Sequence, residues 1–233
     1  MVDLLEGLLT TRAIRRFTAE PVAEHDLSTM LFAATRAPSG SNRQPFRFLV
    51  LRDGPKAVEA KRLLGRAFRQ GWAEKSRAGA GDSTGQRAVG ETAGDNVDER
   101  ALRRERTARA MQHFVDHFEE IPVVVLACLN RYRSPQPSEG ASVYPACQNL
   151  LLAARALGYG GVMTMWHAYV EDDLRQLLRI PSETAISATI PLGRPQGSHG
   201  PVRRKPLPEL VFEDEWGAFA PWAADPVGTR YTG

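Results

Sequence analysis

The stretch from Ser142 to Leu157 constrains this chain more than any other. Spaced as a helix, its apolar residues Val143, Cys147, Leu150, Leu151, Ala154 and Leu157 leave little polar surface on any side. A helix of that kind needs cover on most of its circumference, from a core or from another subunit. Gly158 follows it as a C-cap. A second constraint is the continuous apolar run Val123–Cys128, which fits a strand buried on both faces. Together they call for a sheet covered by helices on both sides.

The remaining segments fill in that plan. Asp3 to Leu9 reads as a short helix and Thr11 to Phe17 as a basic connection. Pro21 opens a helix with Glu24 and Asp26 in its first turn, where negative charge suits the helix dipole. Leu27, Met30, Leu31 and Ala34 recur at i, i+3, i+4 and i+7, and Pro38 ends the helix. Ser39 to Pro45 is a loop of turn residues, Phe46 to Leu51 a strand, and Lys56 to Trp72 a helix. Glu74 to Asp98 holds five glycines (Gly79, Gly81, Gly85, Gly90, Gly94) and few apolar anchors, so it reads as a mobile loop. Glu99 to Glu120 is helical again, with Leu102, Met111, Val115 and Phe118 inward, and Ile121-Pro122 breaks it. Gly160 to Trp166 reads as a strand, Glu171 to Leu178 as a helix, and the alternating Ile186, Ala188, Ile190 and Leu192 as a last central strand. About four strands among about six helices indicate an α+β or α/β class, a small sheet in a helical shell, within one domain spanning 1–233.

Composition excludes several function classes. The net charge of +3 is modest and spread along the chain, which argues against a nucleic-acid partner. No apolar run is long enough to span a membrane, and Asp3 and Glu6 interrupt the N-terminal leucines, so a cytoplasmic protein is expected. Cys128 and Cys147 form no metal-ligand pair and read as buried thiols, with a disulfide or a catalytic thiol as the other possibilities. No metal site is expected.

Three segments carry chemistry. Arg12, Arg15 and Arg16 lie within five residues, and guanidinium forks suit phosphate. Ser39-Gly40-Ser41-Asn42-Arg43-Gln44 offers small residues for close backbone approach and amides that read a heterocycle edge. Arg203-Arg204-Lys205 follows the last strand. Each alone is an ordinary solvated loop. In order, TRAIRRF, then a helix ending in RAPSGSNRQPFRFLVLRD, then LGYGGVMTMW, RIPSE, ATIPLGRP and RRKPLPELV, they resemble the nitroreductase family over about residues 8–56 and 120–212.

That resemblance implies a mixed sheet of four to five strands in a helical shell, and an intertwined homodimer with two FMN sites built from both subunits. Arg12, Ala13 and Arg15 would meet the phosphate and ribityl chain, and Arg203 and Arg204 would add phosphate contacts. Pro38, Ser39, Gly40, Ser41, Asn42 and Gln44 would come from the second subunit to the ring, and Met163, Thr164 and Met165 would lie beside it. The family usually carries two arginines and a serine where this chain has Thr11, Arg12 and Ala13. The implied reaction is a ping-pong cycle. NADPH or NADH gives hydride to the flavin and leaves, and a nitroaromatic, quinone or similar small acceptor follows. No dedicated catalytic side chain is implied; His113, His117 and His167 read as structural, with a place in the pocket as the other reading. A deazaflavin donor, a dehalogenating reaction and flavin storage without turnover share the same frame.

Overall fold

The computed structural model describes residues 3–81 and 97–227. Helix α1 spans Leu4–Thr10, with the Asp3 carboxylate accepting from the Leu5 and Glu6 N–H groups. Helix α2 spans Glu24–Ala34, strand β1 Phe46–Leu51, helix α3 Pro55–Gly81 and helix α4 Val97–Asp116. Strand β2 spans Val123–Asn130, helix α5 Tyr144–Ala156, strand β3 Gly160–Gly161, helix α6 Glu171–Leu178 and strand β4 Thr184–Gly193.

The strands lie in the order β1-β2-β4-β3, and all three pairings are antiparallel. Within one chain the expected mixed sheet is therefore antiparallel throughout. The physical reason is an insertion: β2 and β3, joined through α5, run the same way, but β4 lies between them and pairs with both.

Strand β2 is buried on both faces, as its apolar run required. Val123, Val125, Ala127 and Leu129 face the core formed with α2 and α5. Val124, Leu126 and Cys128 face the core formed with Phe68 of α3, Phe114 of α4, Phe118 and Leu174 of α6. Strand β4 departs from simple alternation. The β2–β4 register shifts at Ala127/Cys128, and Ser187 is the unpaired extra residue. Ile186 thereby joins the α3 side while Ala188, Ile190 and Leu192 join the α5 side. One extra residue flips every side chain beyond it.

Three boundaries differ from the sequence reading. Residues 74–81 belong to α3, because Glu74 is tied to Gln70 and to the Tyr169 hydroxyl, which extends the helix. The rest of the Gly-rich stretch, 82–96, lies outside the described residues. The strand expected over 160–166 is two residues long. Thr164 keeps the same register in an isolated bridge to Thr189, and a 3₁₀ turn takes over at Trp166–Val170. Leu102 is exposed rather than inward, since α4 is buried only from its last turns, at Phe114 and Val115.

Candidate functional site

The basic segment 12–17 is held in place by backbone, not by its own charges. The Ile14 N–H donates to the Gly161 carbonyl at 3.0 Å, and the Thr18 N–H donates to the Arg194 carbonyl at 2.9 Å. The Gln196 N–H donates to the Arg16 carbonyl at 3.0 Å, so residues 12–18 run along the edge of β3 and the end of β4. One glycine permits this approach and its neighbour the sheet pairing behind it. A Cβ on Gly160 would stand 2.5 Å from Ile14 Cγ1, and one on Gly161 would stand 2.6 Å from the Pro191 carbonyl oxygen of β4.

The tail joins the same edge. The Val202 N–H donates to the Leu9 carbonyl at 3.1 Å, and a Cβ at Gly200 would sit 3.6 Å from an Arg12 guanidinium nitrogen. Arg12, Arg15, Arg203 and Arg204 therefore belong to one neighbourhood, with Arg203 and Arg204 exposed on the segment that follows Val202. Met163, 37% exposed, and Met165, 46% exposed, begin two residues beyond the Gly161 carbonyl that binds Ile14.

The electrostatics of this edge are unusual for the molecule. The half-buried arginines elsewhere have carboxylates: Arg131 with Glu139 and Arg175 with Glu171 at 2.6 Å, and Arg155 with Glu6 at 3.6 Å. Arg15 is half-buried too, yet has no carboxylate partner among the described residues. Burial, and then the Arg12 guanidinium, lower its pKa from the usual arginine value. Two cations of this kind, one of them partly dehydrated, favour an anion. Thr11 donates its hydroxyl to the Gly7 carbonyl at 2.7 Å and is committed to the end of α1. Ala13 is exposed and offers backbone alone.

The Pro38–Gln44 loop is built differently and lies elsewhere. Ser41, Asn42 and Gln44 all have positive φ (52°, 52° and 50°). Such conformations cost of order 1 kcal/mol or more for residues other than glycine and cluster where function requires them. The Ser39 hydroxyl accepts from the Gln44 N–H at 2.9 Å and locks the turn, while the Gln44 amide reaches the Asn42 side chain at 3.2 Å. The Ser142 hydroxyl accepts from the Gly40 N–H at 3.4 Å.

Sheet geometry separates this loop from the basic segment. The loop enters β1 at Phe46, which pairs with Leu129 at one end of the sheet. Gly160 pairs with Gly193 at the opposite end and opposite edge. Three inter-strand steps of about 4.8 Å and about seven residue steps of about 3.4 Å put them on the order of 25–30 Å apart. One copy of the chain does not bring the two groups together.

The titratable side chains outside this edge are structural or lie in a second pocket. His167 is 3% exposed, with Nε2 2.9 Å from the Ile186 carbonyl and Nδ1 3.1 Å from the Thr189 hydroxyl. Burial lowers its pKa. That pattern fixes the Nε2–H tautomer, with Nδ1 accepting from Thr189. Burial also raises Cys128 to about 11 and Cys147 to about 12, so both free cysteines are thiols, not thiolates. Among the described residues no cluster could hold a metal ion, and no helix is long and apolar enough to cross a membrane.

His199 escapes a sequence reading altogether. Its Nε2 donates to the Tyr159 carbonyl at 2.8 Å, and its Nδ1 is buried without a hydrogen-bond partner. It packs beside Gly160, against the basic edge. Only its place between the last strand and the Arg203-Arg204 pair could have marked it.

Comparison with known proteins places these features in context. The nitroreductase family model matches residues 8–194. An NADH dehydrogenase of Thermus thermophilus is 31% identical over 91% of this chain and 96% of its own. An iodotyrosine deiodinase of Thermotoga neapolitana is 27% identical over 86% of this chain and 91% of its own. Among solved structures, a nitroreductase-type protein of Desulfovibrio desulfuricans in complex with FMN is 26% identical, with a TM-score of 0.63, covering 92% of this chain and 98% of that one.

Proposed function

The chain belongs to the nitroreductase family, and on that premise we propose that it is an FMN-dependent oxidoreductase working as a homodimer. It passes hydride from NADPH or NADH to a small acceptor such as a nitroaromatic or quinone. One observation carries the reading: half-buried Arg15 has no carboxylate partner among the described residues and stands beside Arg12 on the edge that leads to Met163–Met165. That edge suits a ligand with an anionic end and a flat apolar ring.

Arg12 and Arg15 hold the phosphate, with Arg203 and Arg204 adding charge from the tail. Thr11 and Ala13 contribute no side-chain donor to it. Met163, Thr164 and Met165 border the ring, and the pairing of Thr164 with Thr189 fixes the backbone there. Bound FMN supplies the hydride chemistry. The 25–30 Å separation argues that Pro38, Ser39, Gly40, Ser41, Asn42 and Gln44 serve the site of a second copy, which makes the site intersubunit. Half-buried Leu151, Leu152 and Ala153 on α5, with exposed Leu4 and Leu5 on α1, supply apolar surface for that partner.

The test is an absorbance spectrum of the purified protein, with FMN added if it is colourless, then anaerobic NADPH or NADH. Flavin bands that bleach with either donor support the reading. Failure to bind flavin refutes it. A second reading has its own support in the 27% identity to an iodotyrosine deiodinase: reductive removal of halide from an aromatic acceptor. Halide release from a halophenol by the dithionite-reduced protein distinguishes it.

A further inference from the structure

A pocket of about 290 Å³ lies between the basic segment and the end of α4, lined by Arg15, Arg16, His113, His117, Glu120 and Gln196 among others. It is not the Met163–Met165 strip, and its basic side chains come from two parts of the chain. Arg15 and Arg16 come from the extended segment. His113 comes from the last turn of α4 and His117 from the residue just beyond its end, with their rings 4.2 Å apart. Glu120 is the one carboxylate among the lining residues, and it faces two arginines. Burial, then His117 and Arg16, lower the pKa of His113, against weaker opposing pulls from Glu120 and Asp116. The excess positive charge of the space therefore comes from Arg15 and Arg16, against the single carboxylate of Glu120, and not from the histidines.

We propose that this pocket holds a phosphate of the incoming nicotinamide donor, next to the flavin. The inference rests on the reading above that a nicotinamide is the donor. Its size fits the assignment: about 290 Å³ accommodates a diphosphate but lies just below the range of sites that enclose a whole drug-sized ligand. Its position fits as well. Arg15 borders both this pocket and the edge assigned to the flavin, so a phosphate here leaves the donor within reach of the Met163–Met165 strip. Arg16 supplies a guanidinium fork for the oxyanion, and the neutral ring of His113 supplies one N–H donor.

The experiment uses FMN-loaded protein and its Arg16→Gln and His113→Gln variants, with inorganic pyrophosphate titrated by calorimetry and NADPH and NADH turnover followed by absorbance. The expected result has three parts: pyrophosphate binds the loaded protein and inhibits competitively with NADPH, Arg16→Gln weakens pyrophosphate and raises the donor KM by about tenfold or more, and kcat and flavin content hold steady. His113→Gln moves the same quantities in the same direction by less. Three results overturn the proposal: no pyrophosphate binding to the loaded protein, binding only to flavin-free protein with displacement by FMN, or equal affinities in the variants. The second would assign the pocket to the flavin's own phosphate. A loaded protein that oxidises neither donor overturns the donor assignment through the earlier reading, and the pyrophosphate titration then separates that failure from failure of the pocket.

Discussion

Replacing Arg15 with methionine should stabilise the flavin-free protein and weaken its hold on FMN, two effects of opposite sign from one substitution. The structure supplies both magnitudes. Arg15 is a half-buried cation, its pKa lowered first by burial and then by Arg12, with no carboxylate partner among the described residues. Methionine keeps a long flexible apolar stem while removing the charge. Relief of a partial desolvation penalty and of one like-charge contact amounts to about 1 kcal/mol. In a chain of this length that corresponds to a Tm rise of about 2–4 °C. Arg69, Arg131 and Arg175 behave oppositely on the same substitution, because each would strand Glu119, Glu139 or Glu171. Against FMN, loss of a charge-assisted hydrogen bond costs about 1.5–3 kcal/mol, a Kd higher by roughly 10- to 150-fold. The assays are thermal unfolding of flavin-free protein at fixed concentration and fluorescence titration with FMN. A lower Tm for flavin-free Arg15→Met, or an unchanged Kd, would refute the argument that this charge is held for an anion.

Three other substitutions test the frame. Gly161→Ala places a Cβ 2.6 Å from the Pro191 carbonyl oxygen and 2.7 Å from Leu192 Cδ2, so β3 must shift; we expect a loss of about 1–3 kcal/mol in chemical unfolding, and wild-type stability would show that β3 has room to move. Lys61→Met leaves the Ile121 and Pro122 carbonyls, now 2.6 and 3.1 Å from the Lys61 ammonium, without that donor, and urea midpoints should fall by the equivalent of about 1–3 kcal/mol. Burial depresses the pKa of His167 in the folded state, so the unfolded state binds more protons just below the ordinary histidine pKa of 6.5. Its contribution is fully present above that pH and is lost as pH falls towards the folded pKa, with a slope of up to about 1.4 kcal/mol per pH unit. His167→Gln should flatten the urea-derived stability curve below about pH 6.5, and an unchanged slope would mean that His167 titrates as in the unfolded chain.

What was legible in the sequence divides by physical cause. Helix α2, strand β1 and strand β2 stand where periodicity and turn residues put them, because their local preference and their burial agree. The Ser187 bulge was not legible: Ile186, Ala188, Ile190 and Leu192 alternate perfectly on paper, and only pairing with β2 shows that Ile186 changes face. The end of α3 was misread because glycine at 79 and 81 outweighed the helix-forming residues from Glu74, and a contact 95 residues away, from Tyr169, settles it. Strand β3 was too long on paper because a run of small and apolar residues carries no mark of where pairing ends.

The site was legible as a set of segments and not as a place. Composition and order identify the basic segment, the Ser39–Gln44 turn and the Arg203-Arg204 tail, but the interval between them in space depends on strand order. Once β4 lies between β2 and β3, the start of β1 and the start of β3 occupy opposite corners of the sheet. A turn locked in three positive-φ residues is then a rigid feature with no ligand-facing partner in its own chain. The opposite corner carries an arginine that is half-buried and has no carboxylate partner among the described residues. On the function proposed above, one corner would supply an anion clamp for a flavin and the other preorganised amides. Two-fold pairing is the simplest symmetry that places each half against the other, and it does so twice.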